Sequence, residues 1–260
     1  QFSLGHAGFI AIGSYSGAIL GKMMNGLPGL FAGMAVGVVL SVIVAFLVGL
    51  PTLRLKGDYL AIATLGVAEI IRVAVTNMKL TNGAAGISGV PLTNTWTITY
   101  IALVLTTILI LNYTFSSAGR ATYAVLQDEI AAESMGVQVT KYKILAFVLG
   151  AATASIGGTL SATTLGAVTP SDFTFMKSID VLIIVVFGGI GSFTGSFVAA
   201  VLLGIINLVL QPFGQLRMII YAVALILIMI FRPGGLLGTW EFKLGDFKFS
   251  KKKETKESGK

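Results

Sequence analysis

Glu69 and Arg72 are an acid and a base three positions apart inside a long apolar run. On a helix that spacing puts both on one face. A charge in hydrocarbon is costly unless it is paired or faces a watery cavity. The two therefore form either a mutual ion pair that stitches helices together or a polar lining of a translocation path. His6 is the single histidine of the chain. Near a membrane end it serves as a structural hydrogen-bonder or as a path residue. Gly188, Gly189 and Gly191, followed by Gly195, interrupt a short apolar segment. Such glycines let helices approach closely, or they mark a broken helix lining a path. The string Gly188-Gly-Ile-Gly-Ser-Phe-Thr-Gly195 has no lysine, and its spacing misses the dinucleotide fingerprint by one residue, so it is not a phosphate loop. There is no cysteine, which excludes thiolate metal sites, disulfides and a Cys nucleophile. One histidine cannot assemble a zinc site or a triad. The expectation is a chain that is not an enzyme and binds no metal or cofactor itself.

The polar stretch from Thr114 to Lys143 carries a different kind of chemistry. Tyr123, Leu126, Ile130 and Val137 repeat at helical spacing. Asp128, Glu129 and Glu133 are acids beside that stripe, and Ala131 and Ala132 keep one side thin. Gly136 is placed to stop the helix in a left-handed turn. The prediction is one short amphipathic helix with a small, dockable surface. An interfacial helix lying on the bilayer is the alternative, but three acids and no lysine on the polar face suit anionic headgroups poorly.

The elements that position these residues are membrane helices. The chain is 55% hydrophobic and 11% charged, with mean hydropathy +0.90, whereas soluble domains carry about a quarter charged residues. A crossing needs about 20 apolar residues. Candidate spans cover residues 9–24, 28–50, 59–75, 96–113, 144–165, 179–189, 192–210 and 216–231. The predicted fold is all-α, a polytopic transmembrane bundle of about eight segments, some of them candidates for broken half-helices. Residues 1–238 form the transmembrane domain, with a loop at 119–143, and 239–260 form a lysine-rich tail. With eight crossings, one side holds thirteen Lys and Arg and the other four. The positive-inside rule then puts the loop, the tail and both ends of the chain in the cytoplasm. Net charge is +7, but a lysine tail beside a membrane is an anchor to lipid, and no basic, aromatic-interleaved face for nucleic acid exists. The chain begins at Gln1, and an N-terminal piece is expected to precede it.

Glu129-Ile-Ala-Ala-Glu-Ser-Met-Gly136 resembles the coupling loop of ATP-driven importer permeases, a Glu-Ala-Ala pattern followed by Gly, here with one residue inserted after the first Glu. With Gly119-Arg-Ala, Asp128, Lys141-Tyr-Lys and Ala146-Phe147, it is similar to the branched-chain amino acid permeases, in the LivM branch of the LivH/LivM family. Ser3-Leu-Gly-His-Ala-Gly-Phe, Leu53–Leu65 with Glu69-Ile-Ile-Arg72, Thr81–Pro91, Phe187–Ser192 and Phe231–Gly238 resemble further stretches of that family. Its members usually begin with additional hydrophobic sequence. The resemblance implies a permease subunit importing branched-chain amino acids across a bacterial or archaeal cell membrane. It implies a second, LivH-like permease subunit, two ATPase subunits that bind ATP and Mg, and an extracytoplasmic solute-binding protein. It assigns ATPase coupling to Gly119, Arg120, Asp128, Glu129, Ala131, Ala132, Glu133 and Gly136. His6, Glu69, Arg72, Gly188, Gly189 and Gly191 are candidates for the path. A permease for urea or short amides, and a secondary transporter, remain alternatives.

Overall fold

The computed structural model describes residues 3–55 and 57–210, with Ala222, Val223, Ile226, Gly235 and Gly238. Apart from those isolated positions, the expected last span at 216–231, the Phe231–Gly238 stretch and the tail lie outside the described residues. The chain divides into two compact units, Gln1–Leu182 and Ile183–Lys260. Among the described residues the α-helices are α1 His6–Met23, α2 Leu27–Thr52, α3 Asp58–Asn77, α4 Trp96–Phe115, α5 Ser117–Gln127, α6 Glu129–Ser134, α7 Val139–Leu165, α8 Phe175–Gly188 and α9 Phe193–Val209. Each candidate span up to residue 210 is a helix, and the chain is an all-α, multi-pass membrane protein. Two expectations for the polar stretch change. It holds two helices, not one, and α7 begins at Val139, ahead of the expected Ile144.

In the first unit α1 is the central helix. Ala7, Phe9, Ala11, Gly13, Ser14, Tyr15, Ser16, Gly17 and Ala18 are all buried on it, and α7 and α2 pack along its length. The contact is made by small residues. On α2, Gly29, Gly33, Gly37, Ser41, Ala45 and Gly49 are buried in a row at every fourth position, the ridge along which helices meet. A Cβ on Gly13 would stand 2.0 Å from the Ser155 carbonyl oxygen of α7. Across this seam the Ser14 hydroxyl donates to the Gly158 carbonyl at 2.9 Å, and the Thr159 hydroxyl donates to the Gly13 carbonyl at 2.9 Å. In lipid the hydrophobic effect does not drive helices together, so close backbone approach and such hydrogen bonds hold the bundle. Burial also accounts for the polar residues that α1 carries. By length and composition α2, α3, α4 and α7 are able to cross a membrane, and α2 turns Phe31, Val39, Ile43, Phe46 and Leu47 outward. Because protein surrounds it, α1 tolerates Ser14, Tyr15 and Ser16.

After α7 the chain does not leave the bundle. Strand β1 (Ile87–Ser88) pairs antiparallel with β2 (Ala167–Val168). The following segment runs back along α1. Val168 and Phe173 join a buried cluster with Ala11, Tyr15 and Ala18, and the Phe173 ring lies 6.1 Å from that of Tyr15. The Ala7 amide donates to the Ser178 hydroxyl at 3.0 Å. Val168, Pro170, Phe173 and Ser178 are buried along this return and anchor its irregular backbone against the protein, while Ser171 and Asp172 between them are exposed. Residues 170–173 satisfy their own backbone through a capping box between Thr169 and Asp172.

In the second unit Phe187, Ala199 and Leu203 form the core, with Ile183, Ile184 and Ile206 against them. Helices α8 and α9 are bent by 119° at their break. At 14 residues, α8 rises about 21 Å, less than the ~30 Å hydrocarbon layer. Gly188 and Gly195 make the reversal possible: a Cβ on Gly188 would lie 2.5 Å from the Gly195 carbonyl. Ser192 caps α9 by accepting from the Gly195 amide at 2.9 Å.

Candidate functional site

The polar stretch is built as a stiff elbow. Helix α4 ends at Phe115, and the Ser116 hydroxyl caps α5 by accepting from the Gly119 amide at 3.1 Å. A Cβ on Gly119 would stand 2.2 Å from the Tyr113 carbonyl and 2.4 Å from that of Thr114, so only glycine fits this turn. Arg120 donates from Nη1 to the Phe115 carbonyl at 3.0 Å, a cation where α4 leaves its last carbonyls unpaired. The Tyr113 and Thr122 hydroxyls, 2.6 Å apart, tie α4 to α5 again.

The predicted single helix breaks at Asp128, whose backbone is extended with φ −155°. Its carboxylate accepts from the amides of Ile130 and Ala131 at 2.8 and 3.0 Å. An aspartate side chain offers these amides a partner that the preceding turn would otherwise supply, so it starts a new helix. The stripe of Tyr123, Leu126, Ile130 and Val137 is therefore not one continuous face. Helix α6 ends as the sequence predicts. Gly136 has φ +81°, its amide donates to Glu133, and the Val137 amide donates to Ala132 at 3.0 Å, a Schellman pair.

Exposure sorts the residues of α6 and its C-cap, Met135. Ile130 is 76% and Met135 84% exposed, and Ala131 and Glu133 are exposed too. Ala132 is 5% exposed. The two alanines expected to keep one side thin therefore differ: Ala131 faces out, and Ala132 is buried where α6 meets the chain's own α5 and α7. Glu129 is ion-paired with Lys143 of α7.

A cavity of about 550 Å³ lies under this elbow. Its walls come from the start of α1 (Ser3, His6, Phe9), the end of α4 (Tyr113), α5 (Gly119, Val125), Glu129, and the first half of α7 (Lys143, Phe147). The amino ends of α1, α3 and α7 thus share one end of the unit with the carboxyl ends of α2 and α4. Lys22 donates to the Ser88 carbonyl at the other end, beside β1. His6 Nδ1 lies 3.3 Å from the Ser3 carbonyl. The amino end of α1 is held inside the protein: the Leu4 amide donates to Thr64 Oγ1 at 3.0 Å.

Glu69 and Arg72 pair with each other, Arg72 Nε donating to both carboxylate oxygens at 3.0 Å. Both belong to α3, so the pair stitches no two helices, and their side chains are 43% and 28% exposed. They do not line the cavity. Gly188, Gly189 and Gly191 form the break between α8 and α9, in the second unit. Asp180, an exposed acid in α8, and Ser116 were not singled out from sequence, and Lys143 entered only within the string Lys141-Tyr-Lys. Ser116 three residues before Gly119 carried a capping signal; the pairing of Lys143 with Glu129 carried none, since the two are fourteen residues apart. Among the described residues no group of acids and histidines could hold a metal ion.

Residues 1–231 match the family described as branched-chain amino acid transport system permease component. The high-affinity branched-chain amino acid transport system permease protein LivM of Salmonella typhimurium is 36% identical over 269 residues, covering 90% of this chain and 63% of that protein. The LivH permease of Escherichia coli is 30% identical over 145 residues, 55% of this chain and 46% of that protein. A probable LivM of Methanocaldococcus jannaschii is 26% identical over 88% of this chain and 75% of that protein. This chain thus spans less than two thirds of the length of the LivM relative from Salmonella typhimurium. No solved structure matches. The chain belongs to the branched-chain amino acid transport permease family.

Proposed function

We propose that this chain is a membrane permease subunit of an ATP-driven importer of branched-chain amino acids, and that α6 is the seat of an ATPase subunit. The carrying observation is α6 itself. It is six residues long, closed at one end by Asp128 and at the other by Gly136, and Ile130 within it and Met135 at its C-cap point outward from the end of the unit. A preformed helix with an exposed apolar ridge fits a groove at little ordering cost. Gly119 and Arg120 set the angle at which the elbow leaves α4.

Arg54, Arg120, Lys141 and Lys143 gather at that end, and Lys22 and Lys79 lie at the other. This asymmetry supports a cytoplasmic elbow. The seven lysines of the tail from Trp240 to Lys260 support a cytoplasmic C-terminal end by the same rule. In this reading ATP and Mg are bound by two partner ATPases, a second permease subunit completes the path, and a solute-binding protein delivers substrate from outside. ATP binding draws the coupling elements together and rocks the bundles; hydrolysis resets them. Glu69, Arg72, His6 and the Gly188–Gly191 break are the path candidates.

The test is the full transporter in proteoliposomes carrying Ala131→Trp, a bulky change at an exposed position of α6. The expected result is normal permease in the membrane, no co-purifying ATPase and no ATP-dependent uptake of leucine. Retention of both ATPase and uptake would refute the coupling assignment. A leucine-binding assay on the solute-binding protein tests the substrate, with urea and acetamide as competitors.

A further inference from the structure

The coupling helix is fastened to the bundle by very little. Ala132 is the only residue of α6 that is buried. Beneath the elbow lies the cavity, lined by Leu126, Glu129 and Lys143, so beyond Ala132 the helix stands over open space. What bridges the gap is the ion pair. The Lys143 side chain is 9% exposed and that of Glu129 39%. A lysine so enclosed needs a partner, because an unpaired ammonium in a site of low dielectric is strongly disfavoured. Lys143 stands near the start of α7, and α7 is the helix locked to α1 through Ser155, Gly158 and Thr159. The covalent route from α6 to α7 is the short turn 135–138, which has no regular structure beyond the Gly136 stop.

We infer that Lys143 is a positioning residue for transport: its bond to Glu129 is the strut through which movement of α6 is passed to α7 and from there to α1. This rests on the reading of α6 as the ATPase seat. It also gives the acids of α6 separate roles. Glu129 faces inward to the strut, and Glu133, exposed, is free to meet a partner.

The experiment uses the complete transporter in proteoliposomes, with leucine uptake and ATP hydrolysis measured in parallel. Lys143→Met and Glu129→Gln keep the ATPases bound but lower leucine uptake per ATP about tenfold or more, the scale of one charge-assisted contact. The double change is no worse than either single change. Lys143→Arg restores coupling, and so does the exchange Glu129→Lys with Lys143→Glu. A lysine serving only to stabilise the fold would lower protein yield and leave uptake per ATP unchanged. Unchanged uptake per ATP in Lys143→Met overturns the strut, as does failure of both rescues. These outcomes are separate from failure of the ATPase seat itself, which is read from Ala131→Trp.

Discussion

Asp128→Ala isolates how far the shape of α6 matters for docking. The carboxylate accepts two amide hydrogen bonds, at 2.8 and 3.0 Å, and these define where α6 begins. Isolated helices shorter than about 12–15 residues are marginal in water, and α6 has six, so its order depends on its caps and on Ala132. Removing an N-cap costs about 1 kcal/mol, with a range of about 0.5–2. At ~1.4 kcal/mol per tenfold, that is a loss of about twofold to thirtyfold in the population of the formed helix. Apparent affinity for the ATPase falls by up to the same factor, since only the formed helix docks. The assay is a titration of fluorescent ATPase onto the permease complex in nanodiscs, with amide exchange followed over residues 130–136. Asp128→Asn keeps the cap without the charge and binds like the parent. The reasoning fails if Asp128→Ala binds normally. It fails equally if Asp128→Asn is as weak as Asp128→Ala, which would make the charge, not the cap, the relevant property.

Gly136→Ala costs about 1 kcal/mol, because a left-handed residue with a Cβ is strained; a Cβ there meets nothing within 4 Å, so Gly136→Asn recovers most of the ATPase affinity in the same titration. Gly119→Ala forces backbone apart at the elbow and is expected to cost about 1–3 kcal/mol, seen as faster tryptic cleavage after Arg120. Glu69→Gln lowers uptake more than Glu69→Gln combined with Arg72→Gln, since the single change strands a guanidinium in the membrane; additive losses would show that the pair does not act as one unit. The chain has no cysteine, so single cysteines report its topology without background: Ser134→Cys is shielded from an impermeant thiol reagent in intact cells and Ser171→Cys is labelled.

Several features were legible in the sequence because their causes are local. Composition alone places the chain in a membrane, since runs of Leu, Ile, Val and Phe of crossing length have no other solvent. The stop at Gly136 follows from one residue's backbone freedom. The pairing of Glu69 with Arg72 follows from a spacing of three on one helix. Even the break at Asp128 was written locally, as an aspartate two and three residues ahead of the amides it caps. The apolar spacing of Tyr123, Leu126 and Ile130 argued for one continuous helix and masked it.

Other features were decided only by tertiary structure. In water an apolar stripe tells which face of a helix is inward, but in lipid both faces of α2 are apolar. Only the row from Gly29 to Gly49 marks the buried side, and its meaning comes from the backbone of α1 lying against it. Ala131 and Ala132 are identical in type, and the packing of α6 on α7 alone turns one out and the other in. The return of residues 166–178 along α1 has no periodicity to announce it, because its irregular backbone is anchored by single side chains, Val168 and Phe173, packed against Ala11 and Tyr15. The bond between Glu129 and Lys143 joins two helices across a turn. No local rule pairs residues at that separation, and the geometry of the elbow brings the two charges together.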